Sequence, residues 1–215
     1  MKRFFNNISV NSKEFEQHVA REAKKHSAKH KRKTTRSKSA LMSHFFDKIS
    51  SEYFTEVKSV LCVGCRDEIE IQMFEDNNIA GTGIDPAIET PKIKKVPAEK
   101  MLEVFNEKEF DIVYSSHSLE HVAIPEVVLR NIRIVSKKGC YVILPLEERK
   151  RPGNDHPNIF DISKKSSNAT KEELIECLSV DFKSFEPYEV KDVFYYEYKD
   201  KNYEPEFHIC FEWID

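Results

Sequence analysis

Four short stretches of this 215-residue chain bring together side chains that can do chemistry. Val63-Gly64-Cys65-Arg66 puts a glycine where the backbone can come close to a ligand, with the N–H groups of a following helix free to meet polar or anionic groups. Gly83-Ile84-Asp85-Pro86 ends on a carboxylate, which can accept hydrogen bonds from both hydroxyls of a ribose. A charge-assisted bond of that kind is worth ~1.5–3 kcal/mol. Ser115-Ser116-His117-Ser118-Leu119-Glu120-His121 gathers hydroxyls and two imidazoles, the groups best suited to take a proton near neutral pH. His117 and His121 are four apart and are expected to share one helix face. His121 also reads as a structural residue at a helix start, and both readings stay open. Asp155-His156 is a further acid–imidazole pair, readable either as substrate-binding groups or as ordinary surface residues.

These stretches draw meaning from the elements around them. From Ser59 onward, apolar runs alternate with helical patterns, the signature of βαβ units and a parallel sheet. Strands are expected at 59–63, 82–85, weakly at 93–96, at 110–115 and at 140–144, with helices over 67–77 and from Pro125 to Val135. Ligands of doubly wound sheets bind beyond the carboxyl ends of the strands, which is where the first three stretches fall. Residues 147–167 read as a polar surface loop. Thr170-Lys171-Glu172-Glu173 has the look of a capping box. Val193–Tyr198 and Phe207–Trp213 alternate and flank a polar turn, an antiparallel hairpin at the sheet edge. Tyr195, Tyr196 and Tyr198 suit stacking on a planar or sugar substrate, or simply a half-buried strand. Upstream, Ser12–Ser50 looks helical, with Phe15, Val19 and Ala23 on one face, and a second helix over Ala40–Phe54 is expected to cover the sheet as a lid.

Composition bounds the class. Fifteen Phe, eight Tyr and 40% hydrophobic residues supply a core, and no apolar stretch approaches the ~20 residues needed to span a bilayer. The first residues carry the charge of a signal peptide without its apolar segment, so a cytoplasmic protein is expected. Five scattered cysteines fit reduced thiols. Cys62-x-x-Cys65 is half a zinc site, but no second pair stands at suitable spacing, and no metal is expected. The net charge of −3 hides an asymmetry: residues 1–38 hold twelve Lys/Arg and three acids, the remainder twenty-two and thirty-four. Such a basic arm, densest over residues 21–38, can track RNA phosphates, lie on an anionic surface or remain a solvated extension.

Taken in order, Val60-Leu61-Cys62-Val63-Gly64-Cys65, Gly83-Ile84-Asp85-Pro86, Phe110 to Val122, and Leu129 to Gly139 resemble the Rossmann-like (class I) S-adenosylmethionine-dependent methyltransferases, the type 11 group in particular. The resemblance covers about residues 58–146. It implies a doubly wound three-layer α/β sandwich with a mostly parallel seven-stranded sheet, a C-terminal antiparallel hairpin and an N-terminal helical extension. Residues 1–57 then form the arm and lid, and 58–215 the cofactor-binding domain. S-adenosylmethionine is the implied cofactor, with Gly64, Cys65 and Arg66 under its methionine part. Asp85 would hold the ribose and Pro86 the adenine. Ala98 and Glu99 would line the adenine edge, and Ser115, Ser116 and His117 would pass near the sulfonium. His117 and His121 are the candidate catalytic groups, Asp155 and His156 the candidate substrate-binding ones. The implied activity is methyl transfer to a small molecule or glycan. RNA, docked through the arm, is the alternative acceptor, and a non-catalytic S-adenosyl-binding scaffold is a third reading.

The chain departs from that family's usual pattern at Cys62 and Pro97, where acids are common, and at Arg66 and Glu68, where glycines are common. Wherever those positions need φ > 0, a non-glycine residue costs ~1–2 kcal/mol. A dinucleotide-dependent oxidoreductase expects three clustered glycines after the first strand, and one is present.

Overall fold

The structure is a computed structural model that describes residues 2–3, 8–29, 45–46, 50–146, 156–197 and 205–214. In chain order its strands are β1 (Lys2–Arg3), β2 (Ser59–Val63), β3 (Ala80–Asp85), β4 (Ile93–Lys95), β5 (Phe110–Ser116), β6 (Ser136–Pro145), β7 (Asn158–Ile159), β8 (Tyr188–Tyr196) and β9 (Glu206–Trp213). The longer helices are α1 (Lys13–Lys29), α2 (Ile69–Glu75), α3 (Pro125–Val135) and α4 (Lys171–Asp181). Seven strands make one sheet in the order β4-β3-β2-β5-β6-β9-β8, parallel from β4 to β6 and antiparallel through β9 and β8. β1 and β7 form a separate two-stranded pair.

Alternation along the strands builds two apolar layers. Leu61 and Val63 of β2, Val113 of β5 and Val142 of β6 face α3 and α4, joined by Val128, Ile132 and Leu178. Val60, Cys62, Tyr114 and Tyr141 face the other way, onto Ile71 and Phe74 of α2. Strands buried on both faces read as unbroken apolar runs, which is why β2, β5 and β6 stand out in the sequence. Each fully buried aliphatic side chain contributes ~1.5–3 kcal/mol relative to exposure.

The expected elements are present with shifted ends. α2 starts at Ile69 rather than Asp67: the Asp67 carboxylate accepts the Ile69 N–H at 3.1 Å in an Asx turn, and the helix begins after it. β6 begins at Ser136, whose hydroxyl donates to Ile132 O at 2.6 Å while its backbone is already extended. Gly139 is fixed by the neighbour strand: a Cβ there would meet Phe211 O at 2.0 Å. The Thr170 capping box forms in full, with Glu173 N–H donating to Oγ1 and Thr170 N–H donating to the Glu173 carboxylate. β8 starts at Tyr188, five residues before the expected Val193. Its partner β9 is not an edge strand but lies between β6 and β8.

The segment expected as the lid is described in part. Of the stretch 40–54, the structure describes 45–46 and 50–54. Phe45 and Phe54 are buried on the sheet face beside Phe74 and Tyr141, with ring centroids of Phe45 5.3 and 5.2 Å from theirs. Most of the basic arm, the loop residues 147–155 with Asp155, and the hairpin turn lie outside the described residues. No helix among the described residues is long and apolar enough to cross a membrane.

Candidate active site

The strand order reverses between β2 and β5, and that is where the carboxyl ends open into a cavity. Val63 pairs with Ile84 on one side and Ser115 on the other, so the turns after β2, β3 and β5 emerge at one level. A cavity of about 540 Å³, its mouth included, lies among them.

Gly64 lines the cavity with φ +74°, the left-handed region that glycine enters without cost. The Ser118 hydroxyl, donating toward Val63 O at 2.9 Å and Ser116 O at 3.0 Å, fills the place a side chain at 64 would need. A Cβ there would lie 2.2 Å from Ser118 Oγ. Of the two positions where glycines are usual in the family, only Arg66 adopts positive φ (34°); Glu68 is at −84°. Asp85 and Pro86 form the next wall. The Asp85 carboxylate is buried and accepts the Ala87 N–H at 2.7 Å, which fixes its orientation at the end of β3.

Several expectations need correcting. Cys65 lies outside the cavity: it is buried in the core, its Sγ 3.8 Å from Ile84 O. Ser115 is buried inside β5, and Ser116 lends the turn its carbonyl, so neither lines the cavity. Glu99 does line it, beside Pro97 and Ala98, but its carboxylate accepts the Ala123 and Ile124 N–H groups at 2.7 and 3.2 Å and ties down the entry to α3. Burial pushes that carboxyl up, against the pull of those donors. His117 and His121 both reach the cavity, but not from one α-helix face. His117 sits at φ +50° before a short 3₁₀ turn, Leu119–His121. His156 is buried away from the cavity wall, its ring edge-on to His121 at 5.1 Å between centroids. Asp155 lies outside the described residues.

His117 is clamped by two carboxylates, Nε2 2.5 Å from Glu206 Oε2 and Nδ1 3.6 Å from Glu120 Oε1. Burial alone would lower its pKa; the two carboxylates outweigh it and raise the value to about 10. Against their own burial, the imidazoles hold Glu120 and Glu206 at about 2. His117 is therefore an imidazolium near neutral pH, a hydrogen-bond donor rather than a base. Glu206 also accepts from His208 Nε2 at 2.9 Å, and His208 Nδ1 accepts from Tyr141 OH at 2.7 Å. This buried line of groups escapes sequence reading, because its members alternate along strands that look merely half-buried.

α1 supplies the other unforeseen wall. His18, Val19 and Glu22 line the cavity. Phe15 is fully buried and fixes the helix in place. Burial holds His18 below its ordinary pKa, so its neutral ring donates from Nε2 to His121 O at 2.7 Å and accepts from Arg21 at Nδ1. The Glu22 carboxylate lies 3.3 Å from His121 Nδ1.

A parallel sheet in this order, with an acid and a glycine turn converging at its rim, defines a class I methyltransferase-type α/β sandwich. Residues 30–157 match a family described as a methyltransferase domain, and the chain belongs to that family. It is an S-adenosylmethionine-dependent methyltransferase, with S-adenosylmethionine as cofactor. No curated protein matches the chain. Among solved structures it is similar to the plantazolicin methyltransferase BamL, in complex with a triazolic desmethylPZN analog and SAH, at TM-score 0.63 and 15% identity over 93% of this chain and 96% of that one. The Burkholderia thailandensis 1,6-didemethyltoxoflavin-N1-methyltransferase gives TM-score 0.56 at 12% identity over 98% and 94%. The cyclase SpnF gives 0.50 at 15% identity over 79% of each chain. Likeness at such identities speaks for the fold, which different chemistries share.

Proposed function

We propose that this methyltransferase acts on a small organic acceptor, glycans included, that enters the rim cavity beneath α1. The observation that carries the reading is the cavity's wall. α1 and the 119–123 turn enclose it with largely apolar surface and a few fixed polar groups, the character of a small-molecule site. Both methyltransferases compared above were crystallised with small-molecule substrates or analogues, which agrees with it.

When bound, the cofactor supplies a sulfonium-activated methyl group, so alignment of acceptor and methyl provides much of the acceleration. In this reading Asp85 accepts from the ribose hydroxyls. Gly64 and Arg66 border the methionine part, and Pro86, Pro97 and Ala98 form an apolar adenine wall. With Pro97 in place of an acid, the adenine amino group meets no carboxylate at that position. His117, its two ring nitrogens facing Glu206 and Glu120, borders the site as a fixed cation.

Calorimetry with S-adenosylhomocysteine on the wild type and Asp85→Ala tests the cofactor assignment. Loss of the charge-assisted bonds should weaken binding at least ~10-fold. An unchanged affinity overturns the ribose assignment. Turnover on a panel of small nucleophiles tests the acceptor class. Methylation of RNA instead, with affinity falling steeply in salt, would transfer the acceptor to the arm.

A further inference from the structure

Beside the cavity, two chain segments bring metal-ligating groups together. Glu120 and His121 come from the 3₁₀ turn after β5, and His156 from the residue pair before β7. One ligand atom from each lies within 4.8 Å of the others. We propose that Glu120, His121 and His156, with Glu22 of α1 as fourth ligand, bind a first-row divalent cation of the zinc class.

The donor set suits such an ion: imidazole and carboxylate together favour zinc and its neighbours over calcium or magnesium, which prefer all-oxygen shells. Spacing agrees. Two ligands ~2.0–2.1 Å from a tetrahedral ion lie about 3.3 Å apart, and Glu22 Oε2 stands 3.3 Å from His121 Nδ1.

Burial supplies an independent argument. Glu120 is 2% exposed, and neither of its carboxylate oxygens has a hydrogen bond among the described residues. Its contact with His117 Nδ1, at 3.6 Å, is longer than a hydrogen bond. Beside the His117 ring, this buried carboxylate still offers oxygen lone pairs that no hydrogen-bond donor meets, and a coordinated cation would satisfy them. His156 is equally enclosed, at 3% exposure.

The groups are also held in register. Asn158, two residues beyond His156, donates from Nδ2 to Val122 O at 2.6 Å and approaches Leu119 O and Glu120 O at 3.5 Å. It thereby pins the turn carrying two ligands to the segment carrying the third. His18 holds the His121 carbonyl from the other side. Such support is what outer-shell residues give metal ligands. Because Glu22 and His121 line the cavity, the ion would border the space the acceptor enters.

The test uses the full chain, freed of metal by chelator and titrated with Co²⁺, followed by visible absorption and by competition with Zn²⁺. The expected result is one ion per chain with an N/O-ligand spectrum. His156→Ala should weaken binding ~100-fold or more, and Asn158→Ala ~10-fold, since loss of an outer-shell partner alone costs 10–100-fold. Circular dichroism identifies any variant that fails to fold, and Glu120→Gln, nearly isosteric, then decides. No stoichiometric binding by the folded wild type overturns the proposal. So does unchanged affinity in folded His156→Ala and Glu120→Gln, or a thiolate charge-transfer band that assigns the ion to cysteines.

Discussion

His117 Nε2 and Glu206 Oε2 lie 2.5 Å apart, although 89 residues separate them in sequence. The contact joins the turn after β5, at the cavity, to the first residue of β9. Glu206 is thereby shared between two imidazoles, His117 at the cavity and His208 in the core, and is 1% exposed.

Removing one member of such a buried set leaves the others without compensation. Glu206→Ala is expected to destabilise the protein by about 3–5 kcal/mol, measured by urea unfolding. A loss under ~1 kcal/mol would show that water replaces the carboxylate without penalty, and that the network adds nothing to stability.

The turn at Gly64 gives a sharper test because two residues compete for one volume. Gly64→Ala adds a Cβ 2.2 Å from Ser118 Oγ at φ +74°, so it carries both a clash and ~1–2 kcal/mol of backbone strain. S-adenosylhomocysteine affinity should fall at least ~10-fold, as the turn moves to relieve the contact. Adding Ser118→Ala should restore part of the loss, a coupling that a double-mutant cycle reads directly. Strictly additive losses would mean that strain alone, not the Ser118 contact, limits the site.

The parts of this site that were legible in the sequence are those fixed by strand ends. β2 and β5 announce themselves as apolar runs and β3 as the short stretch that ends on Asp85, and their carboxyl ends place Gly64, Asp85 and His117 with no further information. Cys65 and Ser115 misled because a residue's place in a motif does not say which face of the strand end it takes. Both point into the core layers. α1 was legible as a helix with Phe15, Val19 and Ala23 on one face, but a stripe does not name what it covers. Glu206 and His208 were invisible for a related reason: a polar residue alternating with Phe207 and Ile209 reads as solvent-facing until β8 closes over it.

At the opposite end of the sheet, Asp111 makes stability depend on acid. Its Oδ2 accepts the N–H groups of Lys58 and Ser59 at 2.7 and 3.1 Å, and Lys137 donates to Oδ1 at 3.0 Å. Burial raises the carboxyl, but these donors outweigh it and hold the pKa below its ordinary value. A depressed carboxyl contributes stability that is present above the unfolded-state pKa, ~3.9, and is lost as pH falls through the folded one. Asp111→Asn should therefore cost about 1.5–3 kcal/mol near pH 7, and the gap to the wild type should shrink below about pH 4. Urea midpoints at pH 7 and pH 3 check it; a gap that stays constant would contradict the assigned ionisation.

α1 closes the cavity through a small set of side chains, and that makes its stability a readout of what the cavity holds. Phe15 anchors the helix in the core, while His18 and Glu22 grip the backbone and ring of His121. The rest of α1 is largely exposed: Glu14, Glu16, Gln17 and Arg21 face solvent. A helix held by so few buried contacts opens locally at less cost than the sheet beneath it. A ligand touching Val19 from inside the cavity binds the closed form and not the open one. At 100 times its dissociation constant it should then stabilise closure by up to about 2.7 kcal/mol. Hydrogen exchange followed by mass spectrometry, with and without S-adenosylhomocysteine, should show slowed exchange in peptides covering 15–25, by up to ~100-fold. The amides at the start of β8, where Tyr188 pairs with Trp213, should be unchanged. Equal protection of α1 in both states would mean that the helix is a fixed wall and that ligands reach the cavity by another side.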